Sequence, residues 1–253
     1  MIELMVGIAA FALFLVLVAV TQAGYRGAKR ETEDKESPSL GAIDGSVFAL
    51  LGLLLAFSFS AAAGRFQARR DLVVAEANAI GTAQLRLDLL PSDVARTVRA
   101  DFERYVQNRL AYGKALSTMA DPDAAYREGA EIQTRIWQAA VSACDPAVPS
   151  PRAMLVLPAL NEMFDAASAR HVATKAHSPW VIMAMLVLLS ILSAYMAGRT
   201  VARIRTTFWQ RSIYALVLTI TLLVIADLDY PRLGLIRLDY SDELVTGLQL
   251  SEP

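Results

Sequence analysis

Four stretches of this chain, residues 1–22, 43–64, 179–197 and 212–228, are apolar over the thickness of a lipid bilayer. A membrane core is crossed by a helix of about 20 apolar residues. Inside it the backbone has no water to bond, so only helices and closed barrels satisfy their own polar groups. Runs of this length therefore predict four transmembrane helices in an all-α protein. Composition agrees: 55% of the 253 residues are hydrophobic and 19% charged, with mean hydropathy +0.39, a balance that a soluble domain would struggle to keep in solution.

The first stretch ends in small residues near Ala23-Gly24, as a cleaved leader would. It has no basic segment before it, carries Glu3 and is longer than the usual apolar core of a signal peptide, so a retained helix is expected. A formal net charge of -1 and the absence of a basic stripe with interleaved aromatics speak against a nucleic-acid partner. The lone Cys144 allows no intrachain disulfide.

Outside the membrane the organisation is simple. Residues 23–42 form a polar loop with both charge signs, and residues 198–211 a basic loop with Arg199, Arg203, Arg205 and Arg211 but no acid. Residues 65–178 make the one sizeable extramembrane region, and 229–253 a C-terminal tail. In the large region Val73, Ala77, Ile80 and Leu87 keep one apolar stripe on a helix that ends near Pro91. A second helix starts at Ser92-Asp93 with Val98, Phe102 and Tyr105 on its apolar side. Asp121-Pro122-Asp123 opens a third, and a fourth runs around 158–175. No segment alternates as a strand does, so a helical bundle is expected. Gly64 is followed by Arg65 without a turn signal, which predicts one rod joining the second span to the first extramembrane helix.

Orientation is balanced on charge. Seven basic residues flank the membrane ends of the large region against eight in the two short loops. The unopposed arginines of 198–211, taken alone, place that loop in the cytoplasm.

Enzyme signatures are absent: there is no GxSxG, HExxH, P-loop or CxxC, and a non-enzymatic protein without cofactor is expected. His171 and His177 are six apart and share no helix face, so solvated or interfacial histidines are expected and no metal. Asp44 and Asp227 are the only acids that an intramembrane enzyme could use, and both fall at span ends within reach of water.

The second span is different in kind from the others. Ala49, Leu53 and Phe57 stack at steps of four on one face, with Ser46 and Ser60 nearby, Asp44 at one end and Arg65, Arg69 and Arg70 at the other. Several copies around an axis would give an apolar constriction between polar and charged mouths, and such constrictions gate by dewetting. The same pattern also suits close helix packing through Gly45, Gly52 and Ala61 to Ala63, with the arginines snorkelling to headgroups.

This span resembles the pore helix of the bestrophin channels. There a neck of apolar residues on three successive turns ends in a Phe, followed by small and polar residues, an Arg eight positions on, an aromatic beside it and another Arg about five further; Ala49, Leu53, Phe57, Arg65, Phe66 and Arg70 fit in register. Alanine at the first neck position is a departure. After the last span, Pro231, Gly234, Asp239 and Asp242-Glu243-Leu244 resemble the bestrophin turn and its acidic residues, without the dense acidic run of the calcium site, so no metal is carried over. Gly41, Asp44 and Gly45 and the Arg65-Phe66 to Arg69-Arg70 motif are similar to the bacterial bestrophin-like proteins.

The resemblance implies a homopentamer in the bacterial inner membrane, with the second span lining an ion pore. Its constriction would be Ala49, Leu53 and Phe57, and its mouths Asp44, Ser46, Ser60, Arg65, Arg69 and Arg70. It also implies a cytoplasmic 65–178 domain, against the basic loop. Anions are the expected permeant ions, drawn by the three arginines. The alternative is a membrane-anchored sensor or scaffold whose helical domain binds a ligand or partner protein.

Overall fold

The computed structural model describes residues 2–31, 41–117, 120–143, 151–202 and 206–230. Cys144, Arg203, Arg205 and the tail beyond Tyr230, with its expected turn and acidic residues, lie outside them. Among the described residues there are seven α-helices, one 3-10 turn and no strand. Four stretches, Leu4–Arg30, Asp44–Leu89, Pro151–Val201 and Phe208–Asp229, contain helix long and apolar enough to cross a membrane.

The described residues divide into two compact units, one drawn from 1–66 with 177–230 and the other from 67–176. The first unit holds α1 (Ile2–Glu31), the beginning of α2 (Gly41–Arg86), α6 (Trp180–Val201) and α7 (Phe208–Asp229). Both α1 and α6 run past the ends expected from hydropathy, because helix continues through Tyr25 to Glu31 and through Gly198 to Val201 where the apolar run has already stopped. Its interior gathers Leu17, Leu51, Ala194, Ala215 and Leu218, with Ala62, Ile225 and Leu228 forming a second cluster. α7 starts with a reciprocal cap: Thr207 Oγ1 accepts from the Gln210 N–H and Gln210 Oε1 accepts from the Thr207 N–H. Two glycines bring α1 and α6 into backbone contact. A Cβ on Gly24 would overlap the Tyr195 carbonyl oxygen, and one on Gly198 would overlap that of Thr21.

The second unit is a bundle of the rest of α2 with α3 (Ser92–Ser117), α4 (Pro122–Ser142) and α5 (Pro151–Lys175). α2 runs unbroken for 46 residues, about 70 Å at 1.5 Å per residue. It stops where Pro91 forces Leu90 into extended backbone, after the 3-10 turn Leu87–Leu89. The expected stripes fill the core: Ala77, Ile80 and Leu87 meet Val98, Phe102 and Tyr105 of α3, Ile136 and Ala140 of α4, and Leu160 and Met163 of α5. Asp121 caps α4 by accepting from the Asp123 N–H at 2.9 Å, with Pro122 in the first turn.

α5 corrects the sequence reading, which starts this helix around Pro158. It begins at Pro151, where a missing N–H costs nothing, and carries Pro158 inside. Pro158 leaves the Met154 carbonyl without its helical donor, and the neighbouring Leu155 carbonyl accepts from Arg86 Nη1 at 2.8 Å. On α4, Trp137 and Val141 are exposed, and Ile132 packs in the core.

Candidate pore-lining helix

Successive residues of a helix are 100° apart, so α2 can be read as sectors. Centred on Leu53, one sector about 120° wide contains Ser46, Ala49, Leu50, Leu53, Ala56, Phe57, Ser60 and Gly64, and every one of them is exposed. Leu53 is 53% and Phe57 65% exposed. The opposite side, with Leu51, Ser58 and Ala62, is buried in the first unit. Ala49, Leu53 and Phe57 thus share an outward face with Ser46 and Ser60. Phe59 is exposed on another side, so the apolar surface of α2 extends beyond that face.

The charged residues expected at the mouths are distributed differently. Asp44 is half-buried and accepts from Thr200 Oγ1 at 3.3 Å. Arg65 turns into its own unit: Nε donates to Asp229 Oδ1 at 2.6 Å and Nη2 to Ser178 Oγ at 2.5 Å. The Ser178 N–H donates to Asp229 Oδ2 at 2.9 Å, so both carboxylate oxygens are engaged. His177 Nδ1–H donates to the Asp229 carbonyl at 3.0 Å, which sets its tautomer, and its ring stacks on Tyr230. Asp227, expected within reach of water, is buried.

Arg69 is buried in the second unit, where it donates to the carbonyls of Ala173 at 3.2 Å and Ala176 at 2.6 Å. A cation there meets carbonyls at and just past the C-terminal end of α5, where the helix dipole favours positive charge. Arg70 is exposed. Both inward-turned arginines lie about 120–160° from Leu53 around the helix, on the side of Ser58 and Ala62, a register legible without coordinates.

The second unit contains a buried charge cluster that sequence reasoning missed. Glu76 accepts from Arg109 Nε at 2.5 Å and from Arg170 Nη1 at 2.6 Å. Burial pushes this carboxyl up, but the two guanidiniums more than offset it and hold the group below the ordinary glutamate value. Arg109 lies over the Tyr112 ring at 4.3 Å. The Tyr112 hydroxyl is 3.1 Å from His171 Nδ1, and the His171 ring stacks on Tyr126 at 3.7 Å between centroids. His171 is therefore buried rather than solvated as expected, and burial, with Lys175 beside it, lowers its pKa. Tyr105, in the same interior, is pushed by burial up to about 12. Among the described residues no group of His, Cys, Asp and Glu could hold a metal ion.

A family model described as Bestrophin-like domain matches residues 8–241. Crystal structures of single-site mutants of a bacterial Bestrophin homolog from Klebsiella pneumoniae share the fold. One is 14% identical, with 96% of this chain and 99% of that chain covered at a TM-score of 0.72. A second is 14% identical, with 96% and 100% covered at 0.71. A third is 13% identical, with 97% and 98% covered at 0.70. Among curated proteins nothing matches.

Proposed function

The chain belongs to the Bestrophin-like domain family, and from that premise we propose that it is an ion channel built from several copies of itself around a central axis. In this reading α2 lines the pore, Ala49, Leu53 and Phe57 form the constriction, and Ser46 and Ser60 stand at its two sides. The observation that carries the reading is the exposed α2 face: a row of aliphatic, aromatic, hydroxyl and glycine positions turned away from the unit's own interior. Five copies, the number that the resemblance implies, would close such faces into a ring. The bacterial inner membrane, with the second unit in the cytoplasm, completes the proposal.

The expected preference for anions rested on three arginines. Two of them are held by partners within their own unit, Arg65 by Asp229 and Ser178, and Arg69 by backbone carbonyls. Arg70 is left to carry it, and its position lies about 100° from the Leu53 direction. Small inorganic ions are therefore the proposed substrate.

The test is cysteine substitution along Asp44 to Arg65 in a Cys144→Ser background, read with a charged, membrane-impermeant thiol reagent. Labelling that repeats every three to four residues on the Ala49, Leu53 and Phe57 face is the expected result. Protection of that face, or a two-fold particle without an axial opening, overturns the channel in favour of a scaffold.

A further inference from the structure

The outward face of α2 does not stop at the end of its membrane-length stretch. Continued around the same 46-residue helix, the sector centred on Leu53 takes in Gln67, Ala68, Asp71, Val74, Ala75 and Asn78, and all of these are exposed. Asp71 comes five full turns after Leu53, so it falls in line with it, about 27 Å further along the helix axis. Between Ser46 and Asn78 this sector contains one formal charge, that of Asp71. Every other charged residue in that stretch points elsewhere: Arg65 and Arg69 lie on the packed side, Arg70 about 100° round the helix, and Glu76 is buried between two guanidiniums. Gln67, one turn nearer to Phe57, donates from Nε2 to Asp71 Oδ1 at 2.8 Å and holds the carboxylate on this face.

We propose that Asp71 is the charge-selecting residue of the channel, and that its ring of carboxylates, one from each subunit, favours small inorganic cations over anions. The inference rests on α2 lining the pore. Rings of acidic side chains bias a pore toward cations by raising their local concentration where the field lines converge. Here no arginine on the same face opposes that field. The arginines that suggested anions are spent on structure, whereas the carboxylate that nothing in the motif pointed to stays on the face shared with the constriction.

The test is a planar-bilayer recording of the purified full chain under a KCl gradient. The wild-type reversal potential is expected near the potassium limit. Asp71→Asn is expected to lower the potassium-to-chloride permeability ratio about tenfold, the low end of such field effects. Asp71→Glu should keep the wild-type value, and Asp93→Asn, which removes an exposed carboxylate on α3, should leave it unmoved. Asp71→Cys in the Cys144→Ser background supplies a second measurement: a sulfonate reagent restores cation preference and an ammonium reagent inverts it. A wild-type potential at the chloride limit, or a conducting Asp71→Asn channel with an unchanged potential, overturns the assignment of Asp71 while the channel stands. Absence of any wild-type conductance overturns the channel reading and this inference with it.

Discussion

Arg65 and Asp229 stand 164 positions apart in sequence and are joined by a bond of 2.6 Å from Nε to Oδ1. The Asp229 side chain is 1% exposed and that of Arg65 27%, so this is a carboxylate buried at the end of α7 and neutralised from α2. A buried ion pair adds little net stability over an apolar pair, but removing one partner strands the other. Asp229→Ala is therefore expected to cost the first unit about 3 kcal/mol, the lower end for a broken buried pair because Arg65 retains some water. Arg65→Ala should cost as much or more, because it leaves the better buried charge unpaired. A double-mutant cycle in thermal unfolding of the detergent-solubilised protein measures the coupling. Additive single losses would show that the two side chains do not depend on each other.

Gly24 and Gly198 set the approach of α1 to α6. At Gly24 an added Cβ would also come within 3.0 Å of the Tyr195 carbonyl carbon and 3.3 Å of the Arg199 nitrogen, and backbone cannot swing aside as a side chain can. Gly24→Ala and Gly198→Ala are each expected to destabilise the first unit by about 1–3 kcal/mol, the range for overpacking. Gly7→Ala, with nothing within 4 Å of the new methyl, is the matched control and should be neutral or slightly stabilising. Melting temperatures of the three variants in one detergent check the contrast.

The parts of this fold that the sequence reveals are those set by local chemistry. Runs of lipid length announce the spans, Pro91 announces the end of α2, and Asp121-Pro122 announces the start of α4. Arg65 and Arg69 show what is lost when residues are placed by distance along the chain alone. They follow the apolar run immediately, which suggests a pore mouth, yet their helical register already sets them with Ser58 and Ala62 on the packed side. Asp229 as the partner of Arg65 was not legible, because a contact across 164 positions leaves no local mark. His171 was misread for the same reason: Tyr112, Tyr126 and Asp123, which surround it, come from two other helices. Pro158 misled because proline usually marks a first turn, and nothing in its neighbourhood announces that Arg86 donates to the turn before it.

The cluster around Glu76 makes the second unit sensitive to acid at two steps. His171 is depressed in the folded protein relative to its ordinary value of 6.5, so folding favours the neutral ring. Its full contribution is present above the unfolded value and is lost as pH falls through that value toward the folded one. The neighbours that oppose its protonation are Arg109 on α3 and Lys175 on α5, while Asp123 on α4 favours it. Arg170 and Glu76 lie in the adjoining charge cluster. Glu76 is depressed below 4.5, so its share is present above that value and disappears at lower pH. Chemical unfolding followed by Trp137 fluorescence should show stability falling in two stages on acidification. His171→Gln should remove the upper stage and leave the lower. Glu76→Gln should cost about 3–5 kcal/mol at neutral pH, because it leaves two buried guanidiniums without their counter-charge.

Phe57 is more exposed than Leu53, and its ring is the largest apolar side chain of the three residues assigned to the constriction. An apolar constriction blocks ions by excluding water, so its barrier depends on both radius and wettability. Phe57→Ala widens the ring and Phe57→Ser also wets it, whereas neither change touches a packed partner on the buried side of α2. Unitary conductance is therefore expected to rise in the order wild type, alanine, serine, with stability altered by less than about 1 kcal/mol, as for exposed positions elsewhere. Selectivity should stay near the wild-type value in both, because the charge-selecting carboxylate lies four turns further along the helix. Single-channel currents in symmetric KCl, followed by reversal potentials under a gradient, measure the two properties separately. A pair of Phe57 variants with unchanged conductance would place the ring outside the water path.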